Sequence, residues 1–197
     1  MDIQCECGKF AARLKAFPND TPGRLVCYCN DCQTYLRHLG RADLLDANGG
    51  TEVIPAYPAD MEVLRGREHL KCTRLSPKGL FRFSTACCNT PVANTRPGQP
   101  WLGLLRCMYT ATGAQALDQT LGPVRSRIMG RYAKGTPPAG TPATFNLKAM
   151  ATVMPFMLKG ALLRKSRPSP FFTADGVTPV VVPYVLSKAE RQAAAAG

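Results

Sequence analysis

The chain has 197 residues, 45% of them apolar and 19% charged, with a formal net charge of +12. That length can bury a core without disulfide staples, and the composition is ordinary for a soluble globular protein. Seventeen glycines and seventeen prolines argue against long uninterrupted helices. The longest apolar run, Ala149 to Leu158, contains a proline and falls well short of the ~20 residues a membrane span needs. The first residues carry acids and no apolar leader, so a cytoplasmic location is expected. In a reducing compartment, nine closely grouped cysteines point to metal ligands before disulfides.

In chain order, Lys9 to Ala16 alternates roughly as a half-buried strand does, and the loop Phe17 to Gly23 follows. Asn30 or Asp31 can cap a short helix through Cys32, Tyr35, Leu36 and Leu39, closed by Gly40. Asn48-Gly49-Gly50 predicts a tight turn into a strand over Thr51 to Ile54, which Pro55 should interrupt. Strands are then expected over Met61–Leu64, His69–Leu75, Leu80–Phe83 and Trp101–Cys107. Residues 1–110 thus form a mainly β domain.

The pattern changes near Thr110. Residues 111–197 carry 11 Lys/Arg against 3 Asp/Glu, whereas residues 1–110 carry 14 against 10. This basic extension reads as mixed α/β. A helix is expected to Leu121, a Gly/Pro/Thr linker over 135–142, and a Met-rich helix over 147–163 kinked or split at Pro155. A late strand over 180–186 and a helix capped by Ser187 complete it. Arg125, Arg127 and Arg131 cluster after Gly122-Pro123 and are candidates to hold an anionic ligand.

Cys27-Tyr28-Cys29-Asn30-Asp31-Cys32 carries the strongest chemical signal. Cys27 and Cys29 lie on one side of an extended segment, and Cys29-x-x-Cys32 is a turn that lets two sulfurs meet one ion. Three protein ligands leave a fourth position open, the pattern of a reactive zinc; a distant fourth ligand would instead make the site structural. Cys5-Glu6-Cys7-Gly8 supplies a second pair. Its expected partners are Cys87 and Cys88, of which one reaches a given ion more easily than both, because adjacent strand residues face apart. Cys72 and Cys107 read as small core residues, His38 and His69 as solitary, and Asp31 as a capping residue.

These three groups, from Cys5-x-Cys7-Gly8 through Cys27-x-Cys29-x-x-Cys32 to Cys87-Cys88-Asn89-Thr90-Pro91, resemble the glutathione-dependent formaldehyde-activating enzyme family. The resemblance covers about half the chain. It implies a small antiparallel β-tent holding two zinc ions. Cys5 and Cys7, with the third group, would hold a structural zinc. Cys27, Cys29 and Cys32 would hold a second zinc tied to thiol-adduct chemistry, with a glutathione-like thiol as ligand. The third group departs from the family's Phe-Cys-x-x-Cys-Gly-Thr, because Ser84 or Thr85 stands where its first cysteine belongs. The resemblance implies a carbon–sulfur lyase. The other reading is a non-catalytic, zinc-stabilised module for an acidic partner; the lack of aromatics among the basic residues argues against nucleic acid. No residue stands out as a separate catalytic base.

Overall fold

The computed structural model describes residues 1–109 and 114–196. The fold is mainly β. Its strands are β1 (Asp2–Gln4), β2 (Ala11–Leu14), β3 (Leu25–Cys27), β4 (Thr51–Ala56), β5 (Met61–Arg65), β6 (Leu70–Arg74), β7 (Phe81–Thr85), β8 (Pro91–Thr95), β9 (Leu102–Leu105), β10 (Ser126–Ile128) and β11 (Pro183–Val185). Among the described residues, four α-helices accompany them: α1 (Asn30–His38), α2 (Ala114–Leu121), α3 (Leu147–Leu162) and α4 (Lys188–Ala196).

The first sheet has the order β1-β2-β5 and is antiparallel. The second has eight strands in the order β10-β3-β4-β9-β8-β7-β6-β11. Its six inner strands pair antiparallel, while β10 and β11 join the two edges in parallel. Both edge strands come from residues beyond 110, so the basic segment closes the sheet at either end. Phe171 and Phe172 bury themselves against Phe83, and α4 lies along α1. The main core is built from Ile3, Phe10, Ile54, Phe83, Val92, Leu102, Leu104 and their neighbours, at the contact of the two sheets.

Several expectations meet a different outcome. Pro55 does not end its strand: β4 runs through it, with Pro55 opposite Gly103 on β9. Neighbouring β3 covers only Thr51 to Val53, so from Ile54 onward β4 has a partner on one side, and a missing N–H is tolerated there. Likewise α3 is one helix through Pro155, not two. The Trp101–Cys107 run is a strand only to Leu105; Arg106–Met108 is a 3-10 turn. Strands β1, β8 and β10 were not expected. All five residues of β8 are buried, although Pro-Val-Ala-Asn-Thr has neither alternation nor strong apolar character. Residues 111–113 of the expected helix lie outside the described residues.

Candidate metal centres

Cys5 ends the approach from β1 and begins a tight turn. Its carbonyl accepts from Gly8 N–H at 2.9 Å, and its Sγ accepts from Phe10 N–H at 3.2 Å. Gly8 holds φ at +73°, in the left-handed region that glycine tolerates, so the turn can bring Cys7 back beside Cys5. The partner sulfurs come from the β7–β8 connection. Asn89, at φ +53°, turns this segment out of strand geometry, so the alternation that would separate Cys87 from Cys88 no longer applies. Both therefore lie in the group, where at least one was expected.

The Sγ–Sγ distances are 3.6 Å for Cys5–Cys7, 3.8 Å for Cys5–Cys87, 3.3 Å for Cys7–Cys87 and 3.7 Å for Cys87–Cys88. Four sulfurs tetrahedrally arranged at about 2.3 Å from one ion would stand roughly 3.8 Å apart, so the donor set fits zinc. Threonine hydroxyls surround Cys88, with Thr85 Oγ1 at 3.3 Å and Thr90 Oγ1 at 3.1 Å from its sulfur. Burial opposes the Cys88 thiolate, but those hydroxyls together with the backbone N–H groups of Cys7 and Thr90 outweigh it and bring the thiol down to about 5. Burial and the neighbouring sulfurs push Cys87 up to about 12. Without a cation, four sulfurs this close cannot all ionise.

The second group is Cys27, Cys29 and Cys32, whose sulfurs all lie within 4.8 Å of one another. Cys27 closes β3, and β4 fixes it by pairing it with Thr51. The cap of α1 is Cys29 itself, not Asn30 or Asp31: its Sγ accepts from Cys32 N–H at 3.4 Å. Cys29 and Cys32 thus sit at the positive end of a helix, which favours thiolates. Asp31 instead pairs with Arg191 of α4 at 2.9 Å. Neither group takes in a histidine or carboxylate among the described residues.

Sequence reasoning placed Arg82 only on a strand. Its side chain is 2% exposed, and its Nη1 lies 3.9 Å from Cys32 Sγ and 3.2 Å from Asn94 Oδ1. The guanidinium also lies over the Tyr35 ring, 5.2 Å from its centroid. No carboxylate pairs with it among the described residues, so the cysteine sulfurs are its counter-charge. Burial opposes the Arg82 charge, and the sulfurs of Cys32 and Cys29 outweigh it. In turn Cys32 is held well below the ordinary thiol range, first by hydrogen bonds from Cys27 and Cys29 and then by Arg82, against its burial. Cys27 moves the opposite way, because its proton bridges to the sulfurs of Cys29 and Cys32. The only sequence signal for Arg82 was a cation between two phenylalanines on a strand.

Cys72 is buried on β6, and Cys107 Sγ donates to Pro91 O at 3.5 Å; neither joins a group. His38 lines a small cleft with Lys71, Cys72 and Tyr184, and His69 stands 3.7 Å from Glu68. Arg127 on β10 stands in register with Val26, next to the cysteine strand. Arg125 crosses Gly23, and Arg131 lies over the Tyr132 ring. A larger cleft of about 580 Å³ is lined by Val26 and Thr51, the chain neighbour and the strand partner of Cys27, but by none of the three cysteines of the second group. Val26, Leu36, Leu105 and Leu117 supply its apolar lining; Thr51, Glu52 and Arg106 supply polar groups. Arg106 is already paired there, with Glu52 at 3.3 Å and Asp118 at 2.9 Å.

A family model described as a family of unknown function, DUF6151, matches residues 1–182. The chain belongs to that family. The DUF6151 match takes in all seven clustered cysteines, Arg82 and α3, and stops just before β11. No curated protein matches the chain. A crystal structure of a Rhodobacter sphaeroides protein is similar over 63% of this chain and 97% of its own, at 19% identity and a TM-score of 0.43.

Proposed function

We propose that this DUF6151 protein holds a structural zinc on Cys5, Cys7, Cys87 and Cys88 and a reactive zinc on Cys27, Cys29 and Cys32, and that the second centre serves a carbon–sulfur lyase acting on a thiol adduct. The observation that carries this reading is the contrast between the groups: four sulfurs complete a tetrahedron at one, and three leave a position open at the other. The resemblance to glutathione-dependent formaldehyde-activating enzymes supports the same division. Bound zinc would supply a Lewis acid that stabilises a substrate sulfur as its thiolate.

The chain's own residues would set the conditions for that chemistry. Breaking a hydroxymethyl thioether-type adduct opens the C–S bond, releases the hydroxyl proton and leaves an aldehyde and a thiolate. Arg82 and the amino end of α1 keep the local potential positive as the sulfur takes up charge. The cleft lined by Val26, Leu36, Thr51 and Leu105 would offer apolar walls to the rest of a small thiol. The basic segment favours a non-catalytic alternative, in which the second zinc is structural and the surface takes an acidic partner.

Metal analysis of the purified protein and of two variants tests the reading. Cys29→Ser should lose zinc from the second centre with little change in melting. Cys7→Ser should lose zinc from the first and melt lower, because that metal ties the chain start to the β7–β8 turn. A full zinc complement in Cys29→Ser would remove the second centre. In the cobalt-substituted protein, small thiols should shift the visible bands; bands unmoved by any thiol would favour the non-catalytic module.

A further inference from the structure

We propose that α3 is an interfacial helix that seats this protein on an anionic lipid surface. The helix is apolar nearly all round, and its sequence suggests core packing at helical spacing. Only one narrow face is used that way. Phe156 stacks on Tyr57 with ring centroids 4.1 Å apart, Gly160 sits against Tyr57 and Pro100, and Tyr57 Oη donates to Phe156 O at 2.8 Å. The opposite face is uncovered. Leu147, Met150, Met154, Leu158 and Leu162 are 81%, 43%, 43%, 57% and 82% exposed. At 3.6 residues per turn these five fall within an arc of about 120°, with no charged residue inside it. A stripe this long on a soluble surface marks a binding face.

Charge decides what covers it. From Gln119 to Ala174 the sequence holds nine Lys/Arg and no Asp or Glu. Lys159 and Lys165 are already engaged, by Asp20 and Asp60. Lys148 at one end of the stripe, and Arg164 and Arg167 at the other, are exposed and pair with no carboxylate among the described residues. A second copy of this chain would bring like charge against like charge. The exposed side chains also stand on the outer, convex side of a single helix. A lipid leaflet requires no complementary shape: the apolar arc enters the acyl boundary while the flanking cations meet headgroup phosphates and carboxylates. The inference does not rest on the metal centres.

The test is co-sedimentation of the full zinc-loaded chain with vesicles. One set is phosphatidylcholine alone and the other contains about a third phosphatidylserine. The protein should sediment with the anionic vesicles, hardly at all with the neutral ones, and less as salt rises. Leu158→Glu, on the exposed face, should weaken partitioning at least ~10-fold while leaving melting and zinc content unchanged. Lys148→Glu and Arg164→Glu should each weaken it about fivefold or more. Failure to bind anionic vesicles would overturn the proposal. So would Leu158→Glu binding as well as the parent, since charge alone would then explain it. A dimer in solution that Leu158→Glu converts to monomer would also overturn it, showing that a second copy covers the face.

Discussion

A buried arginine without a carboxylate is costly unless something else carries the opposite charge. At Arg82 that role falls to the sulfurs of Cys32 and its neighbours, with Asn94 and the Tyr35 ring completing its surroundings. The arginine and the three-sulfur group are thus interdependent. Arg82→Met should weaken zinc at that group about 10- to 100-fold, the usual effect of removing a partner behind the ligands. Zinc at the four-cysteine group should stay in place. Arg82→Lys retains the charge without the planar fork and should recover part of the loss. Chelator competition measures both, and the sulfur-to-cobalt charge-transfer bands should move in the methionine variant. An unchanged affinity would mean the arginine serves only packing.

Two helices show how single contacts set an element. Gly160 lets α3 approach the sheet: a Cβ there would meet Tyr57 Cε1 at 2.5 Å and Pro100 Cβ at 2.7 Å. Alanine gains up to about 1 kcal/mol of helix propensity over glycine. Overpacking against a stacked, buried ring costs about 1–3 kcal/mol. Gly160→Ala should therefore lower the melting temperature, and a rise would show that α3 shifts freely. In α4, Glu190 accepts from Ser187 N–H at 2.8 Å and Oγ at 2.7 Å, while Ser187 Oγ accepts from Glu190 N–H at 3.2 Å. This is a reciprocal capping box. The Tyr184 hydroxyl and then Ser187 hold the Glu190 carboxyl down to about 2 from an ordinary 4.5. A lowered carboxyl stabilises the folded helix end fully above its ordinary value and loses that effect as pH falls toward 2. Protection factors of the amides in the first turn of α4, taken against the intrinsic exchange rate at each pH, should fall across that window in the parent. In Glu190→Gln they should be lower already at neutral pH and change less with acid.

At the scale of the whole molecule, the basic segment acts as edge protection. Without it, β3 and β6 would each present a row of open N–H and C=O groups, a template for pairing with another chain. Parallel pairing by β10 and β11 covers both edges. Removal of residues 183–197 takes away β11 and α4 together and uncovers β6 beside the packed α1. The shortened protein should self-associate and melt lower, with light scattering as the readout. A monomer of parental stability would show that the edge is already blunt. Limited proteolysis of the full chain should leave the segment beyond 110 largely intact for the same reason.

Local chemistry determines what depends on near neighbours. The Cys27-x-Cys29-x-x-Cys32 spacing, the Cys5-x-Cys7-Gly8 turn, the turn at Gly49 and the Ser187 helix start each rest on a few residues whose backbone preferences agree. The mainly β character followed from short runs between Gly and Pro. Contacts far apart in the chain were settled only by tertiary structure. Cys87 and Cys88 both reach Cys5 because Asn89 bends the chain between two strands that the register holds in place. Strand β8 is buried by its neighbours and not by its own pattern. Arg82 finds its counter-charge fifty residues away, on a helix that folds over its strand. The exposed stripe of α3 has the same cause: its spacing is that of a core helix, and only the packing of Phe156 and Gly160 on Tyr57 determines which side faces out.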